Sequence, residues 1–159
     1  MKRISAFFSV VLLASLILSI FSFSANASVT DGYEIEYLDN GDYIITYIED
    51  GEIDEPDDPK STTVTKTKTS KYYNSSGATM WAIRVQGTFT YNGTTCTCTK
   101  AAHKATSYAS TWTIISASHS KSGNHATATA TARHDFGGGI TSDYTRSVTL
   151  TCSPTGVFS

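Results

Sequence analysis

From residue 60 to the C-terminus, apolar and polar side chains alternate with period two almost without a break. The runs "TTVTKTKTSKYY" (62–73), "MWAIRVQGTFTY" (80–91), "TTCTCTKA" (94–101), "YASTWTIISASH" (108–119), "HATATATAR" (125–133) and "GITSDYTRSVTLTCS" (139–153) each read as a strand. Asn92-Gly93, the "SKSGN" stretch and Gly137-Gly138-Gly139 supply the turns between them. Six strands with short glycine-bearing turns and no helical period predict an all-β domain. The expected fold is an antiparallel β-sandwich, Ig-like or related, with a barrel as the alternative.

A second alternating stretch, "YEIEYLDNGDYIITYIED" (33–50), reads as a hairpin about Asn40-Gly41. A two-residue turn there needs positive φ at both positions, and it sets Tyr37 beside Ile44 and Ile35 beside Thr46. The apolar face of such a ribbon, Tyr33, Ile35, Tyr37, Ile44 and Ile48, cannot hold two strands together in water alone, so the hairpin is expected to dock on the larger domain. The following "EDGEIDEPDDP" carries two prolines and self-repelling charge, as a linker does.

Before residue 28 the pattern is different. Lys2 and Arg3 precede an apolar and small-residue run from Ile4 to Phe23, followed by Ala25-Asn26-Ala27. This is the layout of a secretory signal peptide; the apolar run approaches the length of a membrane span, and the A-x-A site favours cleavage after Ala27. The chain thus divides into a signal peptide (1–27), an acidic hairpin and linker (28–59) and a basic, Thr-rich β-sandwich domain (60–159). A secreted, extracellular product without covalent anchor is expected.

Charge sharpens that division. Twelve of the 14 acids lie between Asp31 and Asp58, where there is no Lys or Arg, whereas residues 60–159 carry 10 Lys and Arg against Asp135 and Asp143, a net of +8. Separation on this scale bears on partners more than on fold. The acidic arm reads either as a solvated segment or as a cover over a cationic face.

The alternating alanines of 126–132 offer only methyl groups to a core, so something bulky must pack opposite. Trp81 and Trp112 are the expected core aromatics, with at least one over the alanine row. Cys96, Cys98 and Cys152 are an odd number in a chain expected to be exported. Cys96 and Cys98, two apart on one strand, are poorly directed toward each other, so a bridge from that strand to Cys152 is favoured over a local one; three buried, reduced thiols are the other reading.

At "YYNSSGATMWAIRVQGTFTYNGTTCTCT", "SKSGNHATATATA" and "SVTLTCSPTG" the chain resembles an uncharacterised family of small secreted all-β proteins from Gram-positive bacteria. The likeness runs from about Tyr37 to the C-terminus and rests on strand and turn patterns. It implies a signal peptide and an all-β bacterial product. In that pattern a single cysteine stands at the position of Cys98 and a small residue at that of Cys96. The resemblance therefore implies a Cys98–Cys152 disulfide, with Cys96 as an extra thiol available for an intermolecular bond; the oligomeric state is open.

No catalytic constellation stands out. His103, His119, His125 and His134 lack the spacing of a zinc site, although His119 and His125 adjoin across the "SKSGN" turn. There is no G-x-S-x-G, His134 and Asp135 point to opposite faces of a strand, and Asp135 with Asp143 are the only acids available for glycoside chemistry without borrowing from the arm. The triple glycine precedes a strand, where phosphate binding calls for a helix N-terminus; a loose turn is expected. Alternating threonines evoke ice-binding arrays but come without a fixed repeat.

The function expected from these features is that of a secreted non-enzymatic binding module without cofactor or metal. Its cationic domain associates with an anionic envelope polymer or anionic membrane through Lys60, Lys66, Lys68, Lys71, Arg84, Lys100 and Lys104, and the acidic arm serves as cover. Export argues against nucleic acid as the partner. The alternative is a secreted toxin or antimicrobial precursor with residues 28–59 as an acidic propeptide.

Overall fold

The computed structural model describes residues 28–30, 32–49, 53–54 and 61–159. The leader, most of the 50–60 linker and Lys60 lie outside the described residues. Among the described residues ten strands form: β1 (Ser28–Thr30), β2 (Tyr33–Tyr37), β3 (Tyr43–Glu49), β4 (Ile53–Asp54), β5 (Thr62–Tyr73), β6 (Thr79–Tyr91), β7 (Cys96–Ser107), β8 (Trp112–Ser122), β9 (His125–Gly137) and β10 (Ile140–Thr151). All pair antiparallel, in two sheets. The larger runs β2-β3-β5-β6-β7, with β1 added beside β2 and β4 beside β5, and the smaller runs β10-β9-β8. The molecule is an all-β sandwich. Strands follow in chain order through both sheets, and the corner between β7 and β8 carries the chain across, so the topology is a folded meander.

The six long strands occur where alternation predicts them, because period two sends every second side chain into the space between the sheets. On β9 this places Ala126, Ala128, Ala130 and Ala132 inside, all fully buried, while Thr127, Thr129 and Thr131 face out and bond to Thr149, Ser147 and Thr145 of β10. A Cβ on Gly87 of β6 would lie 3.0 Å from that of Ala126 and would run into the Phe89 ring. Small residues thus let β6 and β9 approach closely, and Ile83, Val85 and Phe89 of β6 fill the core beside them.

Trp81 and Trp112 are both core residues. They stack at 6.4 Å and join Tyr72 and Tyr144, so the aromatic bulk gathers at one end of the sandwich.

The β2–β3 hairpin docks, as expected of its unsupported apolar face, but in a different register. Tyr37 pairs with Tyr43 and Ile35 with Ile45, one residue away from the two-residue-turn expectation. The reason lies in the loop: Leu38 N–H donates to Asp42 O at 2.9 Å and Gly41 N–H to Leu38 O at 3.0 Å, with Gly41 at positive φ. This is a three-residue loop closed by a left-handed glycine, the next most common hairpin connection. A one-residue slip exchanges the faces. Ile44, Thr46 and Ile48 now point inward with Glu36, and Tyr37, Tyr43 and Tyr73 form an outer ladder with centroids 6.1 and 5.1 Å apart.

β3 pairs with residues 67–73 of β5, and β4 continues along the same edge against Thr63 and Val64. The acidic hairpin is thus part of the large sheet. The triple glycine is also tighter than the expected loose turn: Gly137 pairs with Ile140, and Gly138 and Gly139, both at positive φ, make a two-residue connection.

Candidate polyanion-binding face

The outer face of the large sheet is built from the residues that alternation turns away from the alanine row. One row across it reads Tyr47, Thr69, Arg84, Lys104, and the next reads Ile45, Lys71, Ala82, Thr106. Arg84 and Lys104 stand directly opposite one another on neighbouring strands. Directly opposed side chains have Cβ atoms about 4.5–5.5 Å apart, and like charges in that position destabilise a sheet.

Around these cations the surface is concave. A groove of about 340 Å³ is lined by Tyr47, Glu49, Thr69, Lys71, Ala82, Arg84, Lys104, Thr106 and Tyr108. A second hollow of about 320 Å³ continues from it past Arg84 and Lys104 to Thr67, Gln86, Ala102 and His103. Lys71 Nζ lies 5.4 Å from the centre of the Tyr47 ring, and hydrogen bonding to Tyr47 raises the Lys71 ammonium above its ordinary value against the opposing effect of burial. That lysine is cationic throughout the physiological range. Tyr47 and Tyr108 give the groove aromatic walls.

The structure divides the predicted basic set. Lys71, Arg84 and Lys104 share the outer groove, and Lys100, opposite Thr88, extends the same face along β7. Lys66 and Lys68 belong to the other side of β5: Lys66 pairs with Gly87 and reaches over the Phe158 ring at 5.9 Å, and Lys68 lies between Ile48 and Val85. They lie on the opposite face from the other described residues of the expected set. The parity of their numbers against Lys71 was the available signal, since residues an odd number apart on a regular strand face opposite ways. Tyr47, Glu49, Gln86 and Tyr108 were missed, because their membership depends on strand pairing across long stretches of sequence.

Other candidates resolve into structural roles. His119 faces His103, with Nδ1 atoms 2.7 Å apart, and His125 pairs beside Ser122 at the turn, so the adjoining of His119 and His125 is replaced by a contact between β7 and β8. One ring nitrogen of the close pair carries the proton that the other accepts. His134 stacks on Trp112 at 4.5 Å and 5° and touches Phe136. Asp143 is held by a two-pronged bond from Arg133, at 2.7 and 2.8 Å, which lowers the carboxyl below its usual range and raises the guanidinium. Asp135 accepts from Gly137 N–H at the turn.

All three cysteines carry free thiols and converge at the base of the sandwich. The Cys152 thiol donates to Ser153 O at 3.2 Å with Cys96 and Cys98 as neighbours, and that of Cys98 donates to Lys100 O at 3.1 Å. Cys98, the partner of Cys152 implied by the resemblance, and Cys96 both neighbour Cys152, and none of the three is bonded to another.

The fold and this face define an antiparallel β-sandwich with a concave cationic sheet. No protein-family model, curated protein or solved structure matches the chain.

Proposed function

We propose that the chain is a secreted, non-enzymatic binding module that holds an anionic envelope polymer along the outer face of its large sheet. The observation that carries this reading is the direct opposition of Arg84 and Lys104, with Lys71 in the adjoining row. Opposed like charges cost stability, and sequences tolerate such local conflict chiefly where function needs it. A polyanion relieves the repulsion, and the aromatic walls of the groove suit sugar or polyol units between charges. Glu49 enters the same groove, and β4 pairs Ile53 and Asp54 with Val64 and Thr63 of β5, so the arm acts as an internal competitor for the cations.

Integration of the hairpin favours this module over a precursor with a detachable propeptide. Removing residues 28–59 strips β3 from β5 and exposes Tyr72 and the unpaired β5 edge.

The test is co-sedimentation of the chain from Ser28 onward with purified anionic wall polymer, run beside anionic vesicles. Binding should fall steeply with salt, and Arg84→Ser combined with Lys104→Ser should weaken it at least tenfold, with Lys66→Ser close to wild type. Salt-independent binding, or equal loss from the Lys66 change, would remove the proposal; retention by vesicles alone would transfer it to a lipid surface.

A further inference from the structure

Cys96 and Cys98 point inward from the start of β7, and Cys152 lies just beyond β10, bridged to Phe158. One tight turn clamps both ends of the cluster. Cys98 N–H donates to Gly123 O at 2.8 Å, Cys152 N–H donates to Asn124 O at 3.1 Å, and Asn124 Nδ2 donates to Cys152 O at 2.6 Å. Within this frame the three thiols form one cluster: that of Cys152 donates to Ser153 O at 3.2 Å with Cys96 its stronger neighbour and Cys98 the weaker, and that of Cys98 donates to Lys100 O at 3.1 Å. Cys152 is fully buried, Cys98 is 3% exposed and Cys96 is half-buried.

We propose that the triad is a disulfide site in which Cys152 bonds to Cys96 while Cys98 is held beside them as a reserve thiol. Formation takes one hydrogen from each of Cys96 and Cys152; the electron pair and two protons pass to a disulfide oxidant such as oxidised glutathione, which is cleaved to two thiols. Exchange then needs no oxidant. Cys98 gives up its proton, its thiolate attacks the Cys152 sulfur, the Cys152–Cys96 bond breaks, and Cys96 leaves as a thiolate that takes up a proton. One disulfide exists before and after.

The consequence is a change in which thiol a partner can reach. In the resting pairing the free thiol is buried, and burial pushes the Cys98 group up, so it reacts slowly. After exchange the free thiol is Cys96, the most accessible of the three. Intermolecular bonding through Cys96 is thereby gated by the internal swap.

The experiment uses the purified chain equilibrated with oxidised glutathione. Free thiols are trapped with N-ethylmaleimide in acidic denaturant, the protein is reduced, and the released thiols are labelled with iodoacetamide. Trypsin leaves Cys96 and Cys98 in one peptide, Val85 to Lys100, and fragment ions across Thr97 read the two labels separately. Maleimide on Cys98 with acetamide on Cys96 and Cys152 is expected. Maleimide on Cys96 with acetamide on Cys98 and Cys152, or maleimide on all three, would overturn the pairing. Cys96→Ser tests the reserve role: it should still oxidise, now through Cys98 and Cys152, and a variant that stays fully reduced overturns that part.

Discussion

Tyr72 Oη donates a 2.6 Å hydrogen bond to Asp42 Oδ2, and the other oxygen of that carboxylate accepts Ser75 N–H at 2.9 Å. The loop of the acidic hairpin is thereby tied to a core tyrosine on β5 and to the β5–β6 turn. Hydrogen bonds to charged groups contribute roughly 1.5–3 kcal/mol, which makes this contact a fastening of the hairpin. Asp42→Ala should lower unfolding free energy by about 1–3 kcal/mol in urea titration. A change below about 0.5 kcal/mol would show the loop to be held by backbone pairing alone.

The same tyrosine sets an alkaline limit. Burial first, and the Asp42 bond second, push the Tyr72 phenol up to about 12, against about 10 in the unfolded chain. Between those values the folded state holds a proton that the unfolded state has lost, so stability falls as pH rises from about 10 and the contribution is gone by about 12. The Cys152 thiol, pushed up to about 12 by burial and then by Cys96, adds a loss beginning nearer pH 8.5 in the reduced protein. Denaturation midpoints followed against pH should therefore decline earlier in reduced than in oxidised protein. Coincident curves would contradict this account.

Ile44 supplies the apolar anchor of the hairpin, and the 2.6 Å pair between Arg146 and Glu36 supplies a charged one. The pair is about a third exposed, so its net contribution is on the order of 0–1 kcal/mol. Ile44→Ala, by contrast, should cost about 2–4 kcal/mol. Limited proteolysis in the 50–60 linker should accelerate far more for Ile44→Ala than for Glu36→Gln. The reverse order would mean that charge holds the arm.

Gly87 and Gly93 are glycines for different reasons. Gly87→Ala forces a methyl into Phe89 and Ala126 and should destabilise by about 1–3 kcal/mol through overpacking. Gly93 has open space around it but φ of +86°, so Gly93→Ala should cost about 1–2 kcal/mol from backbone strain alone. Gly93→Asn should recover part of the second loss, since Asn tolerates the left-handed region, whereas Gly87→Asn should be worse than Gly87→Ala. Thermal unfolding of the four variants checks the order.

Strand positions and the inward alanines were legible because they follow from local alternation. The Asn40-Gly41 hairpin shows the limit of that reading. Both a two-residue and a three-residue loop satisfy the same residues, and they differ by one step of register that reverses the faces. What decides is the surface against which the hairpin docks: β5 presents Tyr72, Ser70 and Lys68 inward, and the observed register sets Ile44, Thr46 and Ile48 beside them. The cationic face was half legible for the same reason. Lys71, Arg84 and Lys104 were recognisable as cations, but that they meet, and that Lys66 and Lys68 do not join them, depends on parity and pairing together.

The sequence by itself determined an all-β chain, the six long strands of the basic half, the two core tryptophans and the separation of acidic from basic charge. These are properties of residue type and of spacing within one strand. Only the tertiary structure decided that Arg84 stands against Lys104, that Tyr47 and Glu49 enter their groove, that His119 meets His103, and that Cys152 joins Cys96 and Cys98 in one cluster. Each of these contacts joins different strands, and a register shift of one residue would turn a side chain to the opposite face. Such choices are made by the packing of the two sheets as a whole, where small residues on β6 and β9 permit close approach and the bulk of Tyr72, Trp81 and Trp112 fills one end.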